Sequence, residues 1–333
     1  MFELLGISLV LAALLSINAL ASMLAATLWR VIDRPTQRWS SHTRARILFA
    51  MRVGPPTLAL LTVFGLIIPA YLIHEPRSSG EIVSGKLATL AVISMLGVAL
   101  ALWRGLQSWT ATRKLLKQWL AGAHPIKVAD VEIPAFSIDH PFPVIAVVGL
   151  FHPRLFIARK VLDSLSEEEL LAALAHESGH LEARDNLRRT LIRACKDMLT
   201  IVPCGRSLDR AWAENAEAAA DETAATRGSA VALNLASALI EIARMVPAGG
   251  RPTMPIASFL LGNEIHGVKG RVRRLLDLAG DRNQRARGTS KYERWLTRSA
   301  VLSSLLVVVL VLTQTSALSE MHDAIEQVVR ILS

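Results

Sequence analysis

The chain has 333 residues, 52% of them hydrophobic, and carries 37 Lys and Arg against 28 Asp and Glu for a formal net charge of +9. A mean hydropathy of +0.38 is too apolar for an ordinary soluble domain, so part of the surface must face lipid. The positive charge does not call for nucleic acid as a direct partner, because the basic residues fall where a membrane topology puts them rather than on one folded face.

Four stretches lack charge: Leu4 to Trp29, Val53 to Ile73, Leu87 to Trp103 and Ser299 to Ser319. At about 1.5 Å per helical residue, roughly 20 residues cross a hydrocarbon core of about 30 Å. Three stretches reach that length. The third does so only by recruiting residues back to Val83, with Lys86 snorkelling and Trp103 and Trp109 near the opposite interface; a buried soluble helix is its other reading. Ala19-Leu20-Ala21 resembles a signal-peptidase site, but no basic segment precedes the first stretch and its apolar run is too long, so it reads as a retained anchor.

The expected layout is a membrane domain over 1–103 with helices at 4–29, 53–73 and 83–103, then a cytoplasmic domain over 104–298. A fourth helix at 299–319 and a short external tail at 320–333 follow. Orientation comes from the basic residues: Arg30, Arg34, Arg38, Arg44, Arg46 and Arg52 follow the first stretch with only Asp33 against them, which marks that segment as cytoplasmic. Both termini then lie outside, and the chain is a multi-pass protein of the cell inner membrane. Cys195 and Cys204 fall in the reducing compartment, where a structural disulfide is not expected.

Within the large segment, Ile126 to Ile157 is rich in β-branched and aromatic residues broken by prolines and Gly149, which predicts short strands, best placed at Val144 to Val148 and Arg154 to Ala158. Ser166 followed by Glu167, Glu168 and Glu169 has the form of a capping box with an acidic first turn, so a helix starts there and runs to Asp185. From Leu187, the positions Leu191, Cys195, Met198 and Leu199 recur at helical spacing opposite several arginines. Such a helix lies either on the inner leaflet or packed on the domain with its basic face in water. A further Ala- and Glu-rich helix is predicted from Ser207 to Arg227.

The first of these helices carries His176-Glu177-Ser178-Gly179-His180. Two histidines four apart project to one side and can share a tetrahedral ion, while Glu177 can take a proton from a metal-bound water. The third ligand is expected from Glu214, Glu217 and Asp221 on one face of the downstream helix. Glu217 is preferred because Asp221 then lies one turn away, where it can orient a histidine from outside the coordination sphere; Glu214 is the substitute. Asp185 is either a similar orienting acid or a surface partner of Arg184 and Arg188.

These pieces together resemble the BlaR/MecR family of integral-membrane metallopeptidases. The resemblance rests on Pro153-Arg154-Leu155-Phe156-Ile157, Leu165-Ser166-Glu167-Glu168-Glu169-Leu170, Ala175 to His180 with Arg184-Asp185-Asn186-Leu187, Ala216-Glu217-Ala218-Ala219-Ala220-Asp221, and Arg271-Val272-Arg273-Arg274-Leu275-Leu276. It implies a mainly α membrane protein with four transmembrane helices and a cytoplasmic α+β zincin-like (gluzincin) domain. One Zn2+ would be held by His176, His180 and Glu217, with Glu177 as catalytic base. The implied substrate is a protein or peptide, such as a cytoplasmic repressor or the chain itself. Sensor-transducers of that family carry a penicillin-binding domain after the last helix, for which 320–333 leaves no room, so a separate sensor protein would have to hear any signal. A second resemblance is to the HtpX and CAAX-protease type, which clears membrane proteins and places a His-Pro pair before an Arg-rich helix. Here His266 precedes Gly267 and Val268, and it is the candidate transition-state stabiliser. A non-catalytic receptor or scaffold holding zinc for stability is the rival from another class.

Overall fold

The computed structural model describes residues 2–75, 83–128, 132–197, 205–246, 265–280, 319–324 and 326–327. Among these, three helices are long and apolar enough to cross a membrane: Phe2–Ile32, Ser41–His74 and Gly85–Ala121. The first is α1. The second joins α2 (Ser41–Thr62), one widened π turn (Val63–Ile67) and α3 (Ile68–His74), and the third is α4 (Gly85–Ala121). The fourth predicted helix, 299–319, lies outside the described residues except for Ser319.

Two of these helices extend well past their uncharged stretches, for packing reasons that hydropathy does not record. Ser40 caps α2 by accepting from the Thr43 amide, and the added turns bury Ala45 and Leu48. Past Trp103, α4 continues to Ala121 because Leu115, Leu116 and Trp119 pack on the core of the globular part. At one end of the bundle the Tyr71 hydroxyl donates to the Phe2 carbonyl at 2.7 Å, and the rings of His74 and His322 lie 5.5 Å apart. Phe2, His74 and His322 therefore share one end, and the arginine-rich segment around Arg44 and Arg52 sits at the other.

The globular part contains a four-stranded sheet of order β1-β2-β4-β3, with β1 at His124–Ile126, β2 at Ala135–Ile138, β3 at Ile145–Val148 and β4 at Arg154–Ala158. β2 and β4 are parallel and the other pairs antiparallel, so β3 is an edge strand. After the short α5 (Arg159–Ser164) come α6 (Glu167–Ala183), α7 (Asp185–Asp197), α8 (Gly205–Ala225), α9 (Ser229–Met245) and α10 (Ile265–Gly280). Their core joins Leu155, Phe156 and Ile157 of β4 to Leu174, Leu235, Leu239, Ile242 and Leu275.

The buried side of α7 differs from the expected one. Ile192 is 4% exposed whereas Leu191 is 39% exposed, because the helix inserts Ile192 into a second core with Trp29, Leu48, Leu208 and Trp212. α7 thus packs on the protein through Ile192. The same junction holds a buried ion pair, Arg52 Nε to Asp209 Oδ1 at 2.7 Å. It also holds contacts from Ser41 to Glu222 and from His42 to Thr223.

Candidate metal centre

The site is built where α6 and α8 nearly touch. Ser166 and Glu169 form the capping box that starts α6, each side chain accepting the other's amide at 3.2 and 3.0 Å. Ala172, Ala173 and Ala175 of α6 are buried, as are Ala216, Ala218, Ala219 and Ala220 of α8. Small side chains let two helices approach closely. Gly179 completes the contact: a Cβ there would stand 3.1 Å from Ala220 Cα and 3.2 Å from Thr223 Cβ. This approach slides Glu217 between the two histidines.

The ligand atoms of His176, His180 and Glu217 all lie within 4.8 Å of one another and could hold a metal ion. His176 Nε2 is 3.6 Å from Glu217 Oε2, and His180 Nε2 is 3.7 Å from Glu217 Oε1. Each histidine turns its other nitrogen to an acid: His176 Nδ1 is 3.0 Å from Asp221 Oδ1, and His180 Nδ1 is 2.7 Å from Asp185 Oδ2. A carboxylate at Nδ1 fixes the tautomer with its proton there and leaves the Nε2 lone pair for an ion. Asp185 is buried, 3% exposed, and besides His180 it meets Arg188, whose Nη1 lies 3.6 Å from its Oδ1, so both readings of this acid have a counterpart in the structure. It reaches His180 because Arg184 ends α6 in the left-handed conformation, φ 54°, turning the chain sharply into α7. Glu214 stays exposed, one turn before Glu217 and outside the cluster.

Glu177 is 2% exposed, and among the described residues neither of its carboxylate oxygens has a hydrogen-bond partner; His180 Nε2 lacks one there as well. Buried polar groups without partners are costly and rare, so these atoms match a site whose remaining partner is a cation with its water. Burial pushes the Glu177 carboxyl up to about 7 against the opposing pull of both histidines. For His180, burial disfavours the charge, but Glu217 and Asp185 outweigh it and raise the imidazole to about 10. Burial also works against the charge on Glu217, yet His180, His176 and Arg271 hold it well below the ordinary carboxyl value.

Arg271, on α10, is the residue of this centre whose role is not apparent from the sequence. Its guanidinium grips Asp221 through Nε at 3.0 Å and Nη2 at 2.6 Å, and its Nη1 lies 3.3 Å from Glu217. Arg189 of α7 approaches Glu217 at 3.8 Å. The pattern Arg271-Val272-Arg273-Arg274 shows a basic helix but not which arginine turns inward; a sign was that Asp221, deep in an alanine run, needs a cation. The backbone of His266 lies in the first turn of α10, and its side chain is outside what the structure describes.

No curated protein matches the chain. A family model matches part of it, from the edge strand through α9, taking in His176, Glu177, His180, Glu217 and Asp221 and stopping short of Arg271. That match, to Peptidase family M48 over residues 145–247, indicates a metallopeptidase, in a chain that also holds three helices fit to cross a membrane.

Proposed function

We propose that the protein is a membrane-embedded zinc-dependent endopeptidase that cuts a cytoplasmic or membrane-proximal protein. The observation that carries this reading is the pairing of a three-donor cluster, His176, His180 and Glu217, with the buried carboxylate of Glu177, unpartnered among the described residues. A zinc ion held for structure alone is closed by four protein ligands, whereas a catalytic one keeps three and an open position. Among the described residues the cluster has three.

Zinc bound there would polarise a peptide carbonyl and make its water acidic. Glu177 would serve as the general base beside it, its carboxylate taking up a proton from water and giving one to the leaving amine. Asp185 and Asp221 hold the imidazoles in the tautomer that presents Nε2, and Arg271 offsets the charge of Asp221 and Glu217. The edge strand β3 offers an extended segment a place to pair beside the site.

In this reading the metal centre faces the cytoplasm, beside Arg44 and Arg52, as the positive-inside rule asks. Both termini lie outside, and a fourth helix crosses at 299–319. Its support is that α10 packs in the globular core, while His322 rests against His74 at the far end of the bundle. The target, a transcriptional repressor or the chain itself, belongs to a signalling role resembling that of the BlaR/MecR family.

The test is Glu177→Gln in native membranes. The variant should keep one zinc per chain and lose proteolysis by about 10²- to 10⁴-fold, the usual worth of a general base. Fragments appearing equally with both forms would refute the reading.

A further inference from the structure

Beside the metal centre lies a cavity of 390 Å³ that has His180 as part of its wall. Its other walls are largely apolar, with Leu150, Phe151, Pro153 and Leu181 among them, and Phe151 is 82% exposed. Three polar side chains also line it: Arg184, Asp185 and Asn186. Two are committed elsewhere. Asp185 holds His180 at 2.7 Å, and the Asn186 amide donates to the carbonyls of Val147 at 2.9 Å and Gly149 at 3.4 Å. Arg184 is exposed and has no acidic partner among the described residues.

The backbone of Arg184 adds an independent observation. It is the one non-glycine among the described residues with positive φ, 54°. The turn that brings Asp185 to His180 needs a left-handed residue, and glycine or asparagine fills such helix ends at less strain. An arginine there is strained backbone beside a functional site, which points to a use for its side chain.

We propose that this cavity is a substrate subsite and that Arg184 reads an acidic side chain, glutamate above all, on an extended protein segment close to the bond that is cut. The apolar walls accept the methylenes of the glutamate, and the guanidinium meets its carboxylate through charge-assisted hydrogen bonds. The substrates favoured are then acidic near the cut, although the chain as a whole is basic.

The proposal rests on the peptidase reading for the nearby scissile bond, so binding and cutting are measured separately. Fluorescein-labelled alanine-rich peptides with one central Glu, Gln, Leu or Lys, each with a free or an amidated C-terminus, are titrated against the zinc-loaded full chain carrying Glu177→Gln in lipid nanodiscs. The same peptides are offered to the active chain. The Glu peptide should bind about tenfold tighter than the Gln peptide, the worth of one charge-assisted hydrogen bond, and the margin should shrink with added salt. Arg184→Gly, which suits the turn, should erase the margin, and Arg184→Glu should transfer it to the Lys peptide. Arg184→Asn, also tolerant of the left-handed conformation, serves as a second neutral variant, with zinc content as the check on folding. Equal binding of the Glu and Gln peptides, a Glu margin surviving in Arg184→Gly, or a margin that follows the free C-terminus would each overturn the proposal. A Glu margin in binding with no peptide cut would uphold the subsite and sink the peptidase reading. Cutting without a Glu margin would do the reverse.

Discussion

His180 and Asp185 meet at 2.7 Å between Nδ1 and Oδ2 although a helix ends and another begins between them. The acid therefore acts on the ligand only as long as the turn at Arg184 keeps its shape. Asp185→Asn should lower zinc affinity and activity by about 10- to 100-fold, as losses around metal-bound histidines commonly do. Competition with a chromophoric chelator measures the affinity. An unchanged constant would show that His180 needs no such support.

Arg271 balances Asp221, which is fully buried, and Glu217. Removing the cation strands a carboxylate in the interior, a change that costs about 3–5 kcal/mol at buried pairs. Arg271→Leu should thus lower the thermal midpoint strongly, and adding Asp221→Asn should restore much of the loss. If the double variant were no more stable than Arg271→Leu, the pairing would not be what stabilises α10 on α8.

Gly179→Ala changes no ligand, yet it should weaken metal binding. Its Cβ would sit 3.1 Å from a backbone atom of α8, which cannot swing aside as a long side chain can, and overpacking of this kind costs about 1–3 kcal/mol. The alanine's better helix propensity, about 1 kcal/mol, offsets only part. The expected result is a modest change in stability with a clear rise in the zinc dissociation constant, read by the same chelator competition.

Acid sensitivity should trace in part to Glu169, whose carboxyl is held below its ordinary value by the Ser237 hydroxyl first and the Ser166 amide second. A folded pKa that is depressed means that the unfolded chain binds the extra proton. The contribution is complete above the unfolded value of about 4.3 and disappears as pH falls through the folded value. Glu169→Gln should therefore give a shallower loss of thermal midpoint below that pH than the unmodified chain. Identical slopes would remove Glu169 from the account.

Legibility in the sequence followed the range of the interactions. The cap at Ser166, the start of α6, the strands β3 and β4, and the one-sided placement of His176 and His180 come from neighbours within a turn or a pleat, and all could be read from spacing. Glu217 could be preferred over Glu214 because Asp221 follows it by one turn. What could not be read depends on contacts distant in the chain. Arg271 reaches Asp221 across 50 positions, α2 starts early because its first turns have a partner in α8, and α7 turns Ile192 inward because Trp212 and Leu48 wait there. Periodicity alone favours Leu191, in line with Cys195, Met198 and Leu199.

The core shared by Trp29, Leu48, Ile192, Leu208 and Trp212 has a consequence for where this protein can work. Residues from the ends of two helices fit to cross a membrane and residues from the globular part complete one apolar interior, so clipping the chain near residue 104 would expose both halves of it to water. On the proposed reading, the metal centre is then held at a fixed height over the lipid, and a substrate would have to reach it within that narrow layer.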